Sequence, residues 1–159
     1  MSAASEYWDS IYTKDGFQAS DKNEFLASVI HRLAKGKALE IGTGSGSDAV
    51  FMAQSGFEVH GFDVSPLAVK EAQMRADQAG VKVDIQQKDL DLYLFKMMEY
   101  DTIVMNYYRP PLPRYYNELI RTMKQGATIV IESFWMMKLL KRTPKMSSLR
   151  TSISDPTKF

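Results

Sequence analysis

The stretch Lys37-Ala38-Leu39-Glu40-Ile41-Gly42-Thr43-Gly44-Ser45-Gly46 decides the fold. Its first five residues have the pattern of a short buried strand, and glycine then occupies every second position up to Gly46. Glycine lacks a side chain, so this loop can adopt positive φ and let a ligand approach the backbone closely. The helix expected from Ser47 to Ser55 presents free backbone amides at the same place. The stretch therefore predicts a ligand-binding turn between a strand and a helix.

Apolar runs and helical patterns alternate on both sides of this turn, from about residue 22 to residue 133. The cap residues Asp21-Lys22-Asn23-Glu24 predict a first helix, and Ser65-Pro66 predicts a helix that Gly80 ends. A last helix is expected near Arg114 to Met123. The strands expected after the first are Phe57–Phe62, Lys82–Gln86, Tyr100–Met105 and Thr128–Ser133. This alternation is typical of an α/β fold with a parallel sheet.

Length and composition limit the classes of protein to consider. The chain has 159 residues, 45% hydrophobic and 25% charged, as expected for one globular domain. It has neither a long apolar stretch that could span a membrane nor an N-terminal signal pattern, which predicts a cytoplasmic protein. There is no cysteine, and His31 and His60 are far apart in sequence, so no metal site is expected.

The charge is distributed unevenly. Residues 1–133 carry 14 basic and 18 acidic groups, whereas residues 134–159 carry 6 basic and 1 acidic. A weakly acidic body disfavours nucleic acid as a partner, because proteins that bind it neutralise phosphates with clustered Lys and Arg. A small-molecule substrate is favoured instead, and residues 134–159 are treated as a separate basic tail.

The spacing of the motifs distinguishes two classes of nucleotide cofactor. The nicotinamide-dinucleotide fingerprint requires glycine where this chain has Ser47, so a nicotinamide oxidoreductase is disfavoured. Asp63 ends the second predicted strand, where a carboxylate can accept from both hydroxyls of a ribose. Asp89-Leu90 follows the third strand. All three loops are expected at the carboxyl edge of the sheet, where ligands bind in such folds.

These motifs and the loop after the fourth strand resemble those of class I S-adenosylmethionine-dependent methyltransferases, over about residues 37–133. Residues 7–12 and Asn106-Tyr107-Tyr108-Arg109-Pro110 resemble, more narrowly, the small bacterial tellurite-resistance and thiopurine methyltransferases. The resemblance implies S-adenosylmethionine as cofactor and a Rossmann-like, doubly wound, mostly parallel sheet of strand order 3-2-1-4-5. The methyltransferase domain is then residues 1–133, with an N-terminal cap segment at residues 1–21.

The resemblance also implies roles for individual residues. Asp63 would bind the ribose, Asp89 and Leu90 the adenine, and Asn106 would lie beneath the methionine moiety. The full set expected to bind the cofactor is Glu40, Ile41, Gly42, Thr43, Gly44, Gly46, Asp63, Val64, Asp89, Leu90 and Asn106. The residues expected at the methyl acceptor are Tyr12, Tyr107, Tyr108 and Arg109. The sulfonium donor is already activated, so transfer is expected to be in line and no catalytic base is assigned.

The loop after the fourth strand limits the classes of methyl acceptor to consider. Its residues depart from the Asn/Asp-Pro-Pro-aromatic pattern of enzymes that methylate nucleic acid bases, so base methylation is disfavoured. Tyr107 and Tyr108 offer aromatic walls, and Arg109 offers a fork for an anionic or planar group. The family resemblance favours a soft nucleophile such as a thiol or a chalcogen oxyanion.

Several alternatives remain open at this level. Tyr7, Trp8, Tyr12 and Phe17 form either a flap over the cofactor or a packed cover on the core, and Asp89 contacts adenine or caps a loop.

Only 26 residues follow Ser133, so the sheet is expected to lack the usual last two strands. Residues 134–142 are expected to form a basic amphipathic helix, packed on the fifth strand or lying on a membrane or RNA. An open sheet edge or the basic tail would allow a homodimer. The alternative to a methyltransferase is a catalytically inactive cofactor-binding module that acts as a regulatory or partner subunit.

Overall fold

The computed structural model describes residues 2–15, 18–108, 113–133 and, for the backbone alone, 136–141. Its helices are α1 (Ala3–Tyr12), α2 (Glu24–Val29), α3 (Ser47–Gln54), α4 (Pro66–Ala79) and α5 (Pro113–Thr122). Its strands are β1 (Lys37–Ile41), β2 (Glu58–Asp63), β3 (Val83–Gln87), β4 (Tyr100–Asn106), β5 (Met123–Ser133) and β6 (Met136–Lys141). Short 3₁₀ turns cover Ile30–Arg32 and Leu90–Leu92.

The strands form one sheet in the order β3-β2-β1-β4-β5-β6. Strands β1 to β5 are parallel, which confirms the predicted order 3-2-1-4-5. Both faces of the sheet are covered, because neighbouring residues of β1 point to opposite sides: Ala38 packs with α2, α3 and α4, and Leu39 packs with α5. The order in which strands join the sheet reverses after β3: β2 and β3 lie on one side of β1, and β4 lies on the other. A crevice is therefore expected at the carboxyl ends of β1 and β4.

The basic segment after Ser133 was predicted as a helix, and that prediction is wrong. Residues 136–141 form β6, which runs antiparallel to β5 with Ser133 opposite Met136 and Thr128 opposite Lys141. A short apolar run fits either type of element, and the unpaired backbone groups at the edge of β5 stabilise the strand. The β5 edge proposed for dimerisation is therefore paired within the chain. The prediction that the sheet lacks both of the usual last strands is corrected by this one antiparallel strand, which follows the five parallel ones. Residues 142–159 lie outside the described part.

The local signals at the helix ends are mostly confirmed. Ser65 caps α4 by accepting from the amide of Ala68, and Gly80 ends it at φ 68°. Helix α2 is the first helix that the sequence predicted. Its cap is Asn23 rather than Asp21, because the Asn23 side chain accepts from the backbone amide of Leu26. The helix α1 was not predicted as a helix. Within the described ranges, no helix is long and apolar enough to cross a membrane.

Candidate active site

The glycine loop follows β1, and its three glycines have φ values of 71°, 55° and 82° at Gly42, Gly44 and Gly46. A Cβ atom at Gly46 would lie 2.6 Å from the Cα of Ala72 in α4, so any side chain there would displace a helix. A Cβ atom at Gly44 would lie 3.0 Å from the hydroxyl of Tyr12. The first contact explains how α3 and α4 pack, and the second places Gly44 on the wall of a cleft.

Asp63 ends β2 and holds the glycine loop in place. Its Oδ2 accepts from the amide of Gly44 at 2.8 Å, and its Oδ1 accepts from the amide of Ser65 at 2.9 Å. Burial raises the pKa of the Asp63 carboxyl, while the backbone amides oppose the shift. Each carboxylate oxygen has a second lone pair, so the same group can still accept from a ligand hydroxyl.

A cleft of about 240 Å³ opens above the glycine loop and Asp63. It brings together predicted residues from the end of α1 and from the carboxyl ends of β1 to β4: Tyr12, Gly42, Gly44, Asp63, Val64, Asp89, Leu90, Asn106, Tyr107 and Tyr108. Trp8, considered above as part of a flap, also lines the cleft, and the structure adds three lining residues that the sequence did not indicate: Ala4, Phe62 and Lys88. Phe62 is apolar and lies within β2, so only its place next to Asp63 could have identified it.

Four predicted cofactor residues lie behind the cleft wall instead. Ile41 and Gly46 pack in the core, and the Thr43 hydroxyl donates to the Phe62 carbonyl at 3.3 Å. Glu40 is 3% exposed and accepts from the amide of Ala49, but its Oε2 accepts from no residue in the described ranges. Burial, followed by the nearby charges of Asp48 and Asp63, raises the pKa of the Glu40 carboxyl well above its ordinary value.

Asp89, at the end of the site predicted for adenine, both caps a loop and lines the cleft. Its Oδ1 accepts from the amide of Asp91 at 3.1 Å, which caps the 3₁₀ turn, and Asp89 also lines the cleft. Leu90 is buried beneath it. The Lys88 amide donates to the Asp63 carbonyl at 2.9 Å, so the loops after β2 and β3 are fixed relative to each other.

A polar network that the sequence did not reveal lies at the carboxyl ends of β4 and β5. Asp48, in the first turn of α3, accepts from the Asn23 amide at 2.6 Å and from Asn106 Nδ2 at 2.7 Å. The Asn23 side chain donates to the carboxylate of Glu132, which lies opposite Asn106 in the sheet. Burial raises the pKa of the Asp48 carboxyl, and the charge of Glu132 adds to the shift. Asn106 Oδ1 is buried and accepts from no described residue.

Tyr107 and Tyr108 follow β4 and form one wall of the cleft. Tyr107 has a left-handed backbone with φ 56°, its amide donates to the Glu132 carbonyl at 2.7 Å, and its hydroxyl bonds the Glu132 carboxylate. The Tyr108 ring packs on Gly42, and burial followed by the charge of Asp89 raises its pKa to about 12. Arg109, also predicted at the acceptor, lies outside the described residues.

Helix α1 forms the roof of the cleft. Trp8 and Tyr12 line the cleft, whereas Tyr7 is exposed. The Ser65 hydroxyl donates to Asp9 Oδ1 and attaches α1 to the start of α4. Burial, followed by the charges of Asp63 and Glu40, raises the pKa of Tyr12 to about 12. Phe17 lies outside the described residues.

Residues 38–126 match the model of a family described as a methyltransferase domain. Uncharacterized proteins of Mycobacterium bovis and Mycobacterium tuberculosis are 27% identical over 101 residues, which are 62% of this chain and 37% of each relative. The chain therefore spans only part of the length of these relatives.

Solved structures show the same fold. One, described for the conversion of a disulfide bond into a thioacetal group during echinomycin biosynthesis, is 25% identical, with a TM-score of 0.66 over 80% of this chain and 60% of that one. A putative S-adenosylmethionine-dependent methyltransferase of Methanococcus maripaludis is 17% identical, with a TM-score of 0.61 over 74% of this chain and 68% of that one. The family match confirms the predicted domain type and, with it, the predicted cofactor, S-adenosylmethionine. The chain belongs to the methyltransferase domain family.

Proposed function

We propose that the cleft binds S-adenosylmethionine and that the protein transfers its methyl group in line to a small-molecule acceptor. One observation carries the proposal: a single cleft joins Gly44, Asp63 and Asp89, from the loops at the carboxyl ends of three neighbouring strands. A nucleoside with an amino acid substituent needs these three kinds of contact at once, which are an open backbone, a carboxylate for the ribose and a polar loop for the base.

The charges around the cleft favour this cofactor over a dinucleotide. Asp63 and Asp89 line it, and the buried Glu40 lies close enough to Asp63 for their charges to interact. A pyrophosphate would be repelled by these carboxylates, whereas a sulfonium and an α-ammonium group would be attracted. Lys88 is the cation on the described part of the lining, and it lies over the ring of Tyr93 at the adenine end.

Individual residues then have these proposed roles. Asp63 accepts from the ribose hydroxyls, and the loop at Asp89 and Leu90 binds the adenine. Gly42 and Gly44 let the methionine part approach the backbone, beside Asn106. Trp8 and Tyr12 exclude water from above. The bound cofactor supplies an activated methyl group on sulfur, so the chain has to position the acceptor rather than activate the donor.

The acceptor would sit against Tyr107 and Tyr108, where the cleft is aromatic.

The resemblance to tellurite-resistance and thiopurine methyltransferases, a cytoplasmic location and a homodimer all remain proposals. No contact among residues 2–15, 18–108 and 113–133 favours the inactive module.

Isothermal titration calorimetry with S-adenosylmethionine, S-adenosylhomocysteine and NAD tests the proposal. We expect the first two to bind and NAD to bind much more weakly or not at all. Release of S-adenosylhomocysteine in the presence of a panel of thiols, amines, phenols and tellurite tests transfer. Absence of binding by S-adenosylmethionine would refute the proposal, and binding without any turnover would favour the inactive module.

A further inference from the structure

The side of the cleft that Asn106 and Tyr107 line is backed by two carboxylates, Asp48 and Glu132, which bond these two residues from behind and make this its acidic side. Asp48 and Glu132 lie close enough for the charge of Glu132 to raise the pKa of Asp48. Their hydrogen-bond partners are Asn23, Asn106 and Tyr107, which are all neutral. Neither carboxylate forms an ion pair with a lysine or arginine of the described ranges. The negative charge here is therefore uncompensated by the described side chains, and it favours a cationic group over an anionic one.

Asn106 presents an unused hydrogen-bond acceptor at this acidic side. Its Nδ2 donates to Asp48 at 2.7 Å, and this contact fixes the orientation of the amide because a carboxylate can only accept. The oxygen Oδ1 is the other end of the same group, is buried, and accepts from no described donor. Buried polar atoms are nearly always hydrogen-bonded, so Oδ1 is an acceptor that an N–H or O–H group of a ligand can use. Asn106 lines the cleft, so a ligand bound there can supply the donor.

On the basis of the proposed function, we infer that the methyl acceptor is a primary or secondary amine that binds beside these carboxylates, donates an N–H to Asn106 Oδ1, and reacts in its uncharged form after any extra proton has passed to solvent. The amine lone pair attacks the methyl carbon, the bond from carbon to sulfur breaks, and its electron pair stays on sulfur. The products are S-adenosylhomocysteine and a methylated ammonium ion, which then loses a proton to solvent. This acceptor class differs from the thiol or chalcogen oxyanion that the family resemblance favoured.

The charge balance of the step explains the preference. With an amine, the positive charge moves from sulfur to nitrogen and stays beside the carboxylates of Asp48 and Glu132. With a thiolate or an oxyanion, a negative charge would first have to leave water and enter the field of the same carboxylates. Thus the acidic surroundings stabilise the product of amine methylation and oppose the binding of an anion.

Three ring-matched probes test the inference on protein saturated with S-adenosylhomocysteine: benzylamine, benzyl mercaptan and benzoate. Calorimetry at pH 8 measures their affinities, and release of S-adenosylhomocysteine from S-adenosylmethionine measures turnover with the first two. We expect benzylamine to bind at least about tenfold more tightly than benzoate, and we expect turnover with benzylamine alone. The variant Glu132→Gln retains an oxygen that can accept from Asn23, so it should fold, and it should weaken benzylamine binding about fivefold. The control Glu118→Gln changes an exposed residue of α5 that pairs with Arg121, and it should change neither affinity.

The outcomes separate the inference from the proposed function. Failure of S-adenosylmethionine to bind refutes the proposed function itself. If S-adenosylmethionine binds but benzoate or benzyl mercaptan binds as tightly as benzylamine, or if none of the three binds, only the amine inference is overturned. Benzoate binding that Arg109→Ala abolishes would likewise overturn it and would indicate an anionic acceptor. An unchanged benzylamine affinity in Glu132→Gln would also contradict the electrostatic argument.

Discussion

Replacing Asp63 by alanine should destabilise the protein in the absence of cofactor as well as weaken cofactor binding. The carboxylate accepts from the amides of Gly44 and Ser65, and the substitution leaves both amides without this acceptor. A hydrogen bond to a charged group contributes about 1.5–3 kcal/mol. The Gly44 amide borders the cleft, where water can partly replace the carboxylate, and removing a group whose pKa is raised by burial offsets part of the loss. We therefore expect the free energy of unfolding to fall by about 2 kcal/mol.

Urea unfolding at pH 7.5, with and without S-adenosylmethionine, separates the two roles of Asp63. At a cofactor concentration about a hundredfold above the Kd, the wild type should gain about 2.7 kcal/mol, and a variant that binds a hundredfold more weakly should gain less than about 1 kcal/mol. Asp63→Asn retains one acceptor oxygen and should lose about half as much stability as the alanine variant. Asp84→Ala removes an exposed carboxylate from the neighbouring strand and should stay within about 0.5 kcal/mol of the wild type.

Two results would contradict this reasoning. If Asp63→Ala without cofactor is as stable as the wild type within about 0.5 kcal/mol, the carboxylate does not hold the glycine loop. If the variant gains as much stability from S-adenosylmethionine as the wild type, Asp63 has no role in binding the cofactor.

Three further substitutions test other parts of the site. Glu40→Gln should increase the free energy of unfolding at pH 7.5 by about 1 kcal/mol, as measured in urea. The pKa of the Glu40 carboxyl is raised in the folded protein, so the wild type loses stability as the pH rises above 4.5, the ordinary pKa of this group. Gly46→Ala should destabilise the protein by more than about 3 kcal/mol in the same assay, because left-handed backbone strain adds to overlap with Ala72. Asp9→Ala breaks the contact between α1 and Ser65 and should speed dissociation of S-adenosylmethionine about tenfold in stopped-flow measurements, with little change in stability.

Each of these predictions has a matched control. The stability gain from Glu40→Gln should disappear on acidification below pH 4.5, where the wild-type carboxyl is protonated in both states, and a gain that grows instead would refute the assignment. Gly80→Ala also has a positive φ but meets no atom within 4 Å, so it should cost only about 1 kcal/mol; equal losses at both glycines would exclude the overlap. Glu6 lies on the same helix as Asp9, and Glu6→Ala should leave the dissociation rate of S-adenosylmethionine unchanged. Equal rates in the Asp9→Ala variant and the wild type would show that α1 does not retain the cofactor.

Sequence reasoning grouped the residues on the glycine-loop side of the cleft because their signals are local. The glycines at 42, 44 and 46 stand together, and Asp63 and Asp89 each follow an apolar strand. Parallel strands place their carboxyl ends at one edge, so the order of the strands is enough to bring these residues together. The structure places Gly42, Gly44, Asp63 and Asp89 around one cleft, as expected.

The polar network behind Asn106 and Tyr107 could not be found in the same way. Asn23, Asp48 and Glu132 come from three distant segments, and each has an ordinary role in isolation: a cap residue, an acid in the first turn of a helix, and a residue near the end of a strand. Their pairing depends on how α2 and α3 pack against β5, which no local pattern records. The prediction of a helix after Ser133 failed for a related reason, because the partner strand rather than the segment itself determines β6.

The left-handed backbone of Tyr107 suggests where activity can be lost with little change in stability in this protein. A bulky residue at φ 56° costs about 1–2 kcal/mol compared with glycine, and the surrounding contacts with Glu132 are what keep it there. Tyr107→Gly would relieve the strain, but it would also remove the hydroxyl bond to Glu132 and give the unfolded chain more freedom. We therefore expect little change in melting temperature from this variant but a loss of acceptor turnover, because the ring on the wall of the cleft is gone.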